Sequence, residues 1–196
     1  MSTNALNTCD FSVVSERSVN LRILGFLGIL LVMLIIPVHG AVIVVPDNKT
    51  IQEVIDSASD GDTVVVRDGV YSVYLNITKS ITLRSENGTA NCILEASTND
   101  DVIEVHADFV TITGFTIRYG NDDGVDIEPL NGDPSDHINI SNNVFYNLYG
   151  GIQIEDSNYT VVMDNNFTAV ETGVYIYGSS YFNTIVNNTI RDATSY

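Results

Sequence analysis

Cysteine is almost missing from this sequence. Of the two in 196 residues, Cys9 lies in the N-terminal leader and Cys92 stands alone in the body, which excludes an intramolecular disulfide and a disulfide-stapled scaffold. Cys92, in Asn91-Cys92-Ile93-Leu94, reads as a small side chain in a strand. Basic residues are nearly as scarce, eight Lys and Arg against 25 Asp and Glu, for a net charge of −17. The leader's Arg17 and Arg22 cancel its Asp10 and Glu16, so the body keeps that whole charge. Such a surface repels nucleic acid and anionic lipid and excludes both as main partners. Two explanations remain: solvation in high salt, or sites for hard cations such as Ca²⁺. Grouped soft-metal donors are lacking too, because His106, His137, Cys92 and Met163 stand singly. A full membrane span is also short of residues. The unbroken apolar run, 23–38, counts 16, below the ~20 of a comfortable transmembrane helix.

Arg17 and Arg22 precede that run, and Val38-His39-Gly40-Ala41 follows with small residues that suit signal peptidase after Gly40. Residues 1–40 therefore read as an export signal. The segment ahead of the run, from Met1 to Arg22, is long for a signal peptide, so an uncleaved membrane anchor with its N-terminus inside is the alternative. Either way the body is expected outside the cytoplasm, in an extracellular, periplasmic or cell-surface setting. Asn-x-Ser/Thr triplets at Asn48, Asn76, Asn87, Asn139, Asn158, Asn166 and Asn187 agree with export, although a chain rich in Asn, Ser and Thr produces such triplets without selection.

What is present is a repeat. Ile140/Asn143/Phe145, Val162/Asn165/Phe167 and Ile185/Asn188/Ile190 share one pattern, and its asparagines advance by a nearly constant interval. Gly124-Val125-Asp126-Ile127, Gly151-Ile152-Gln153-Ile154 and Gly173-Val174-Tyr175-Ile176 move beside them as a second marker. The period is too short for a helix pair and fits one coil of a β-solenoid. Equivalent asparagines are then expected to hydrogen-bond up and down the stack, a structural role.

Ahead of the repeat, Ile51, Val54, Ile55 and Ala58 fall on one helical face, with Thr50 as N-cap and Glu53 completing a capping box. This amphipathic helix is expected to cover the open first coil. Strand-like segments follow near residues 63–66, 73–77, 81–83, 93–94, 103–105 and 110–117. The expected fold is all-β, a right-handed parallel β-helix, with residues 41–62 as N-terminal cap and residues 63–196 as coils. The chain ends in mid-coil, so further β-helix coils or a partner are expected at an open C-terminal end.

Thr50-Ile51-Gln52-Glu53-Val54-Ile55, Gly61-Asp62-Thr63-Val64-Val65-Val66, Gly69-Val70-Tyr71, Lys79-Ser80-Ile81-Thr82-Leu83 and residues 110–117 resemble the opening of the pectin-lyase-like superfamily of right-handed β-helices. The branch they resemble is that of the exported NosD-type repeat proteins, a resemblance that implies periplasmic copper binding. The singly placed histidines and Cys92 oppose a copper site. The superfamily includes lyases, hydrolases, epimerases and adhesins, so the resemblance implies a fold and no single activity.

If the apolar residues of the stacked strands point inward, one outward column reads Glu104, Asp126, Gln153, Tyr175 and the next His106, Glu128, Glu155, Tyr177. Carboxylates, an amide and tyrosines make a carbohydrate-binding composition. Asp126, Glu128 and Glu155 are the candidate catalytic acids, since acids on one strand or on adjacent coils fall at spacings used by glycosidases. A solvated face gives the same pairs. The surplus loop after Glu128, residues 129–136, is where superfamily enzymes build clefts. Asn121-Asp122-Asp123-Gly124 resembles the Asn-x-Asp-Gly motif of polygalacturonase-type hydrolases, which implies a catalytic role for Asp123, but the Gly-His-Gly and Arg-x-Lys partners are absent. The tetrad reads first as a turn and then, with Asp126 and one of Asp100 or Asp101, as a Ca²⁺ site on Asp122, Asp123 and Asp126. The expectation is an exported cell-surface module that binds a polysaccharide or envelope glycan, with no required cofactor and no catalysis. The alternative is a polysaccharide hydrolase or lyase.

Overall fold

The structure is a computed structural model that describes residues 40–192. Residues 1–39 lie outside the described residues, and with them the export-signal and anchor readings of residues 1–40. β1 (Val42–Val44) comes first, then α1 (Ile51–Ser57). The capping box is formed: Thr50 Oγ1 accepts from the Glu53 amide at 3.1 Å, and Glu53 Oε2 accepts from the Thr50 amide at 2.7 Å. Ile51, Val54, Ile55 and Ala58 are buried in the common core, as their spacing requires.

Each later coil passes through the same faces. β2 (Thr63–Val66), β5 (Thr82–Ser85), β8 (Thr111–Thr113), β11 (Asn139–Ser141), β13 (Val161–Met163) and β15 (Thr184–Val186) extend from β1 as a seven-stranded parallel sheet. In the second sheet, one face holds β3 (Gly69–Val73), β6 (Cys92–Ala96) and β9 (Thr116–Arg118). The other holds β4 (Leu75–Ile77), β7 (Ile103–Val105) and β10 (Asp123–Ile127). β12 (Val144–Glu155) and β14 (Asn166–Tyr177) are long strands that run across both faces and join them, and β16 (Thr189–Arg191) pairs with β14. The fold is the all-β parallel β-helix expected from the repeat.

Stacking begins earlier than the repeat reveals. Val42, Thr63, Thr82, Thr111, Asn139, Val161 and Thr184 stand in one column, unevenly spaced along the chain at first and almost regularly at the end. β1 is therefore already a rung of the first sheet, within the segment 41–62 expected to be a cap. Residues 110–117, expected as one strand-like segment, divide into β8 and β9 at Gly114, whose φ of 84° only glycine adopts freely.

Left-handed residues stack at three corners. At the first corner Gly114 is followed by Asn142, Asp164 and Asn187, with φ of 56°, 55° and 57°, types that tolerate this region. Tyr119, Asn147, Ala169 and Asp192 mark the second corner. Phe109, His137, Tyr159 and Phe182 mark the third, with φ of 57°, 61°, 58° and 60°. An αL backbone costs such residues about 1–2 kcal/mol each. At the third corner ring stacking offsets this, because the four rings lie face to face at centroid distances of 4.8, 4.9 and 5.2 Å and within 9° of parallel.

The core is a column of Val, Ile and Leu with Phe115, Phe145 and Phe167 fully buried. Phe145 and Phe167 stack at 4.8 Å. The glycines of the second marker make room for these rings: a Cβ at Gly124 would overlap Phe145, at Gly151 Phe167, and at Gly173 Ile190. The asparagine ladder is formed as expected. Asn143 Oδ1 accepts from the Phe115 amide at 3.0 Å while its Nδ2 donates to the Ile112 carbonyl at 3.0 Å. Asn165 does the same for the Asn143 amide and the Ile140 carbonyl, and Asn188 for the Asn165 amide and the Val162 carbonyl.

Candidate functional site

Parallel register places the outward residues of the β4–β7–β10 face in columns. Asn76, Glu104, Asp126, Gln153 and Tyr175 form one, so the predicted column exists with Asn76 added beneath it. Glu155 and Tyr177 pair in the next, where His106 Nε2 lies 3.1 Å from Glu104 Oε2 and 3.8 Å from Glu128 Oε1. On the N-terminal side Asp123 pairs with Gly150, and its amide donates to Asp101 Oδ1 at 2.8 Å.

The face is less exposed than strand alternation implies. Asp126 is only 7% exposed and the His106 side chain 6%, whereas Tyr175 is 53% exposed. Gln153 reaches down one coil and donates from Nε2 to Asp126 Oδ1 at 3.0 Å. Burial pushes the Asp126 carboxyl up to about 8, against the Gln153 hydrogen bond and with help from Asp101, Glu128 and Asp123. Burial likewise raises Asp101 to about 7, opposed by the Asp123 amide, and Asp123 to about 6. These three carboxyls change charge near neutrality, which suits either proton transfer or a cation that takes the place of the proton. Tyr177 donates to Glu155 Oε2 at 2.5 Å, and this bond first, then burial, holds its phenol protonated.

A groove of about 390 Å³ opens on this face between Asp122, Asp123, Tyr149, Gly150, Gln153, Thr172 and Tyr175. Tyr149, 55% exposed, is not among the column residues read from the sequence, because it precedes the alternating segment of β12. The loop 129–136 does not wall this groove. Its Pro129, Gly132 and Pro134 line a separate hollow of about 400 Å³ with Asp156, Asn158, Ser179 and Tyr181. Of the predicted metal set, Asp122 and Asp123 lie together, and Asp101 rather than Asp126 completes the group whose oxygens fall within 4.8 Å of one another. Among the described residues the donors that copper favours lie apart: Cys92 is in the core, His137 is in the corner stack, and the neighbours of His106 are carboxylates.

Residues 38–195 match the family described as Right handed beta helix region. The chain belongs to this family. This right-handed β-helix chain is similar to a cell surface glycoprotein of Methanothermus fervidus, at 36% identity over 101 residues. That stretch is 50% of this chain and 16% of the glycoprotein, so the chain spans a small part of that relative. Among solved structures, a pectin methylesterase in complex with a hexasaccharide superposes with a TM-score of 0.52 at 17% identity, covering 80% of this chain and 67% of that one. The ORF18 protein of Geobacillus virus E2 gives 0.52 at 18% identity, covering 91% and 46%. At such identities these likenesses show the β-helix fold alone.

Proposed function

We propose that this β-helix is an exported cell-surface module whose β4–β7–β10 face holds a polysaccharide or envelope glycan without cleaving it. The observation that carries this reading is the groove in which the half-exposed rings of Tyr149 and Tyr175 stand beside Gln153 and a row of carboxyls. Sugar ring faces stack on aromatic rings, and sugar hydroxyls bond to amides and acids. The cell surface glycoprotein relative supports the location. Among the described residues no helix is long and apolar enough to cross a membrane.

A hydrolase or lyase is the second reading, and one observation favours it: Asp126 is raised to about 8 within the same column system as Glu128 and Glu155, as a general acid requires. A panel of acidic and neutral polysaccharides, scored together for bound fraction, new reducing ends and unsaturated products, separates the two. Retention without cleavage is the expected result. Loss of one aromatic contact in Tyr175→Ala should weaken retention about two- to tenfold. Cleavage that disappears in Asp126→Asn would replace the binding reading with the catalytic one, and no retention on any polymer would remove it.

A further inference from the structure

Three side-chain groups on this face are tight enough to share an ion: Asp101 with Asp122 and Asp123, Asp100 with Asp101 and Glu104, and Glu104 with His106 and Glu128. They are not equivalent. In the last, His106 Nε2 already bonds to Glu104, and Nδ1 is buried without a partner. Ligation through Nε2 would place the ring proton on Nδ1, where a buried donor finds no acceptor. In the middle group Asp100 is exposed, and among the described residues none orients its carboxylate.

The first group differs because of Asp123. The residue is only 7% exposed, yet its carboxylate accepts no hydrogen bond among the described residues. It points toward Asp101 and Asp122 within the 4.8 Å group and borders the groove. Gly150, one rung on, leaves this carboxylate its space, since a Cβ there would overlap Asp123 Oδ1. Set against two other carboxylates at the edge of the groove, it has among the described residues no donor to offset their repulsion.

We propose that Asp101, Asp122 and Asp123 hold a Ca²⁺ ion between two successive coils. The donors are all oxygen, which selects a hard cation. Ca²⁺ accepts an irregular set of oxygens at about 2.3–2.6 Å, whereas Mg²⁺ demands near-ideal octahedral geometry at about 2.0–2.1 Å. The Asp123 amide fixes Asp101 by its Oδ1 and leaves the other oxygen for the ion. Asp126 is not a ligand, being held by Gln153. Asp101 leads into β7 and Asp123 opens β10, so the ion clamps neighbouring rungs.

The site stands whether or not the face holds glycan, and its test uses no glycan. Chelator-stripped full-length protein is titrated with CaCl₂ alone by calorimetry. One saturable ion per chain is expected, with Mg²⁺ much weaker and Asp47→Asn, at an exposed carboxylate paired with Arg67, unchanged. Asp122→Asn, at a half-exposed position that the ladder does not use, should lower the affinity at least about tenfold, and Asp101→Asn should repeat the loss. Several weak sites that both variants leave unchanged, no saturable heat, or equal affinity for Mg²⁺ would each overturn the proposal.

Discussion

Asn165 offers the sharpest test of what holds the coils together. It is 2% exposed, and its amide group serves both neighbours. Oδ1 accepts from the Asn143 amide at 2.9 Å, while Nδ2 donates to the Ile140 carbonyl at 2.8 Å and to Asn188 Oδ1 at 3.1 Å. Asn165→Ala orphans the buried Asn143 N–H and removes one donor from the Ile140 carbonyl, which keeps its place in the β11–β13 ladder. At about 1–3 kcal/mol for the unsatisfied group and about 0.5–1.5 kcal/mol for a further bond lost, the expected loss is about 2–4 kcal/mol, against about 1 kcal/mol for half-exposed Asn188→Ala, where water replaces the bonds. Asn165→Asp adds a charge control. Its carboxylate keeps the acceptor but turns an oxygen toward the Ile140 carbonyl, so protonation should be favoured in the folded state. Its folded pKa then rises above the unfolded value, and the variant should regain stability as pH falls and lose it as pH rises. Urea unfolding of the parent, the two alanine variants and the aspartate at pH 4 and pH 7 reads all of this. A loss within about 0.5 kcal/mol, typical of surface substitutions, or an aspartate variant indifferent to pH, would refute the ladder as a source of stability.

Two further outcomes follow from the same geometry. Asp126, Asp101 and Asp123 are raised to about 8, 7 and 6 from an ordinary value of 3.8, so between these limits the folded state holds protons that the unfolded state has released. Their contribution is therefore full below about pH 4 and declines as pH rises toward 8; Glu53 and Asp62, held low by backbone amides, act in the opposite sense. Thermal melts with chelator should give a lower Tm at pH 8 than at pH 5, and Asp126→Asn should flatten the difference; a Tm that climbs with pH would contradict the burial. Gly151→Ala, whose methyl would press on the Phe167 ring and the Gly173 carbonyl, should cost about 1–3 kcal/mol by overpacking, and a neutral result in denaturant titration would show that the coil yields there.

The solenoid was legible because the last coils, from Asn139 to Val161 to Thr184, repeat at an almost constant interval. The first coils do not: Thr82 follows Thr63 closely, while Thr111 comes much later. Corners absorb length that strands cannot, and periodicity does not register such coils. The columns were legible too, because alternation sorts side chains by face. Their burial was not. It depends on Gln153 reaching back a coil to Asp126 and on how the turns fold over the strand ends, which no spacing records. The stack of Phe109, His137, Tyr159 and Phe182 advances in step with Phe115, Asn143, Asn165 and Asn188. It is hidden in the sequence because its members sit at left-handed corners, outside any hydrophobic strand pattern. The sequence offered Asp100 or Asp101 for the acid group, and the register of β7 on β10, with the Asp123 amide on Asp101 Oδ1, brings Asp101 beside Asp123.

The asparagine ladder has a direction. Each asparagine completes the coil before its own: Asn143 serves Phe115 and Ile112, Asn165 serves Asn143 and Ile140, and Asn188 serves Asn165 and Val162. A chain made from its N-terminus thus leaves each of these coils, beyond its open strand edges, with a turn amide unmet until the next coil arrives. Once it does, backing out past Asn143 or Asn165 means breaking its bonds in a buried setting. The ladder works as a ratchet, locking turns in the order in which they are delivered.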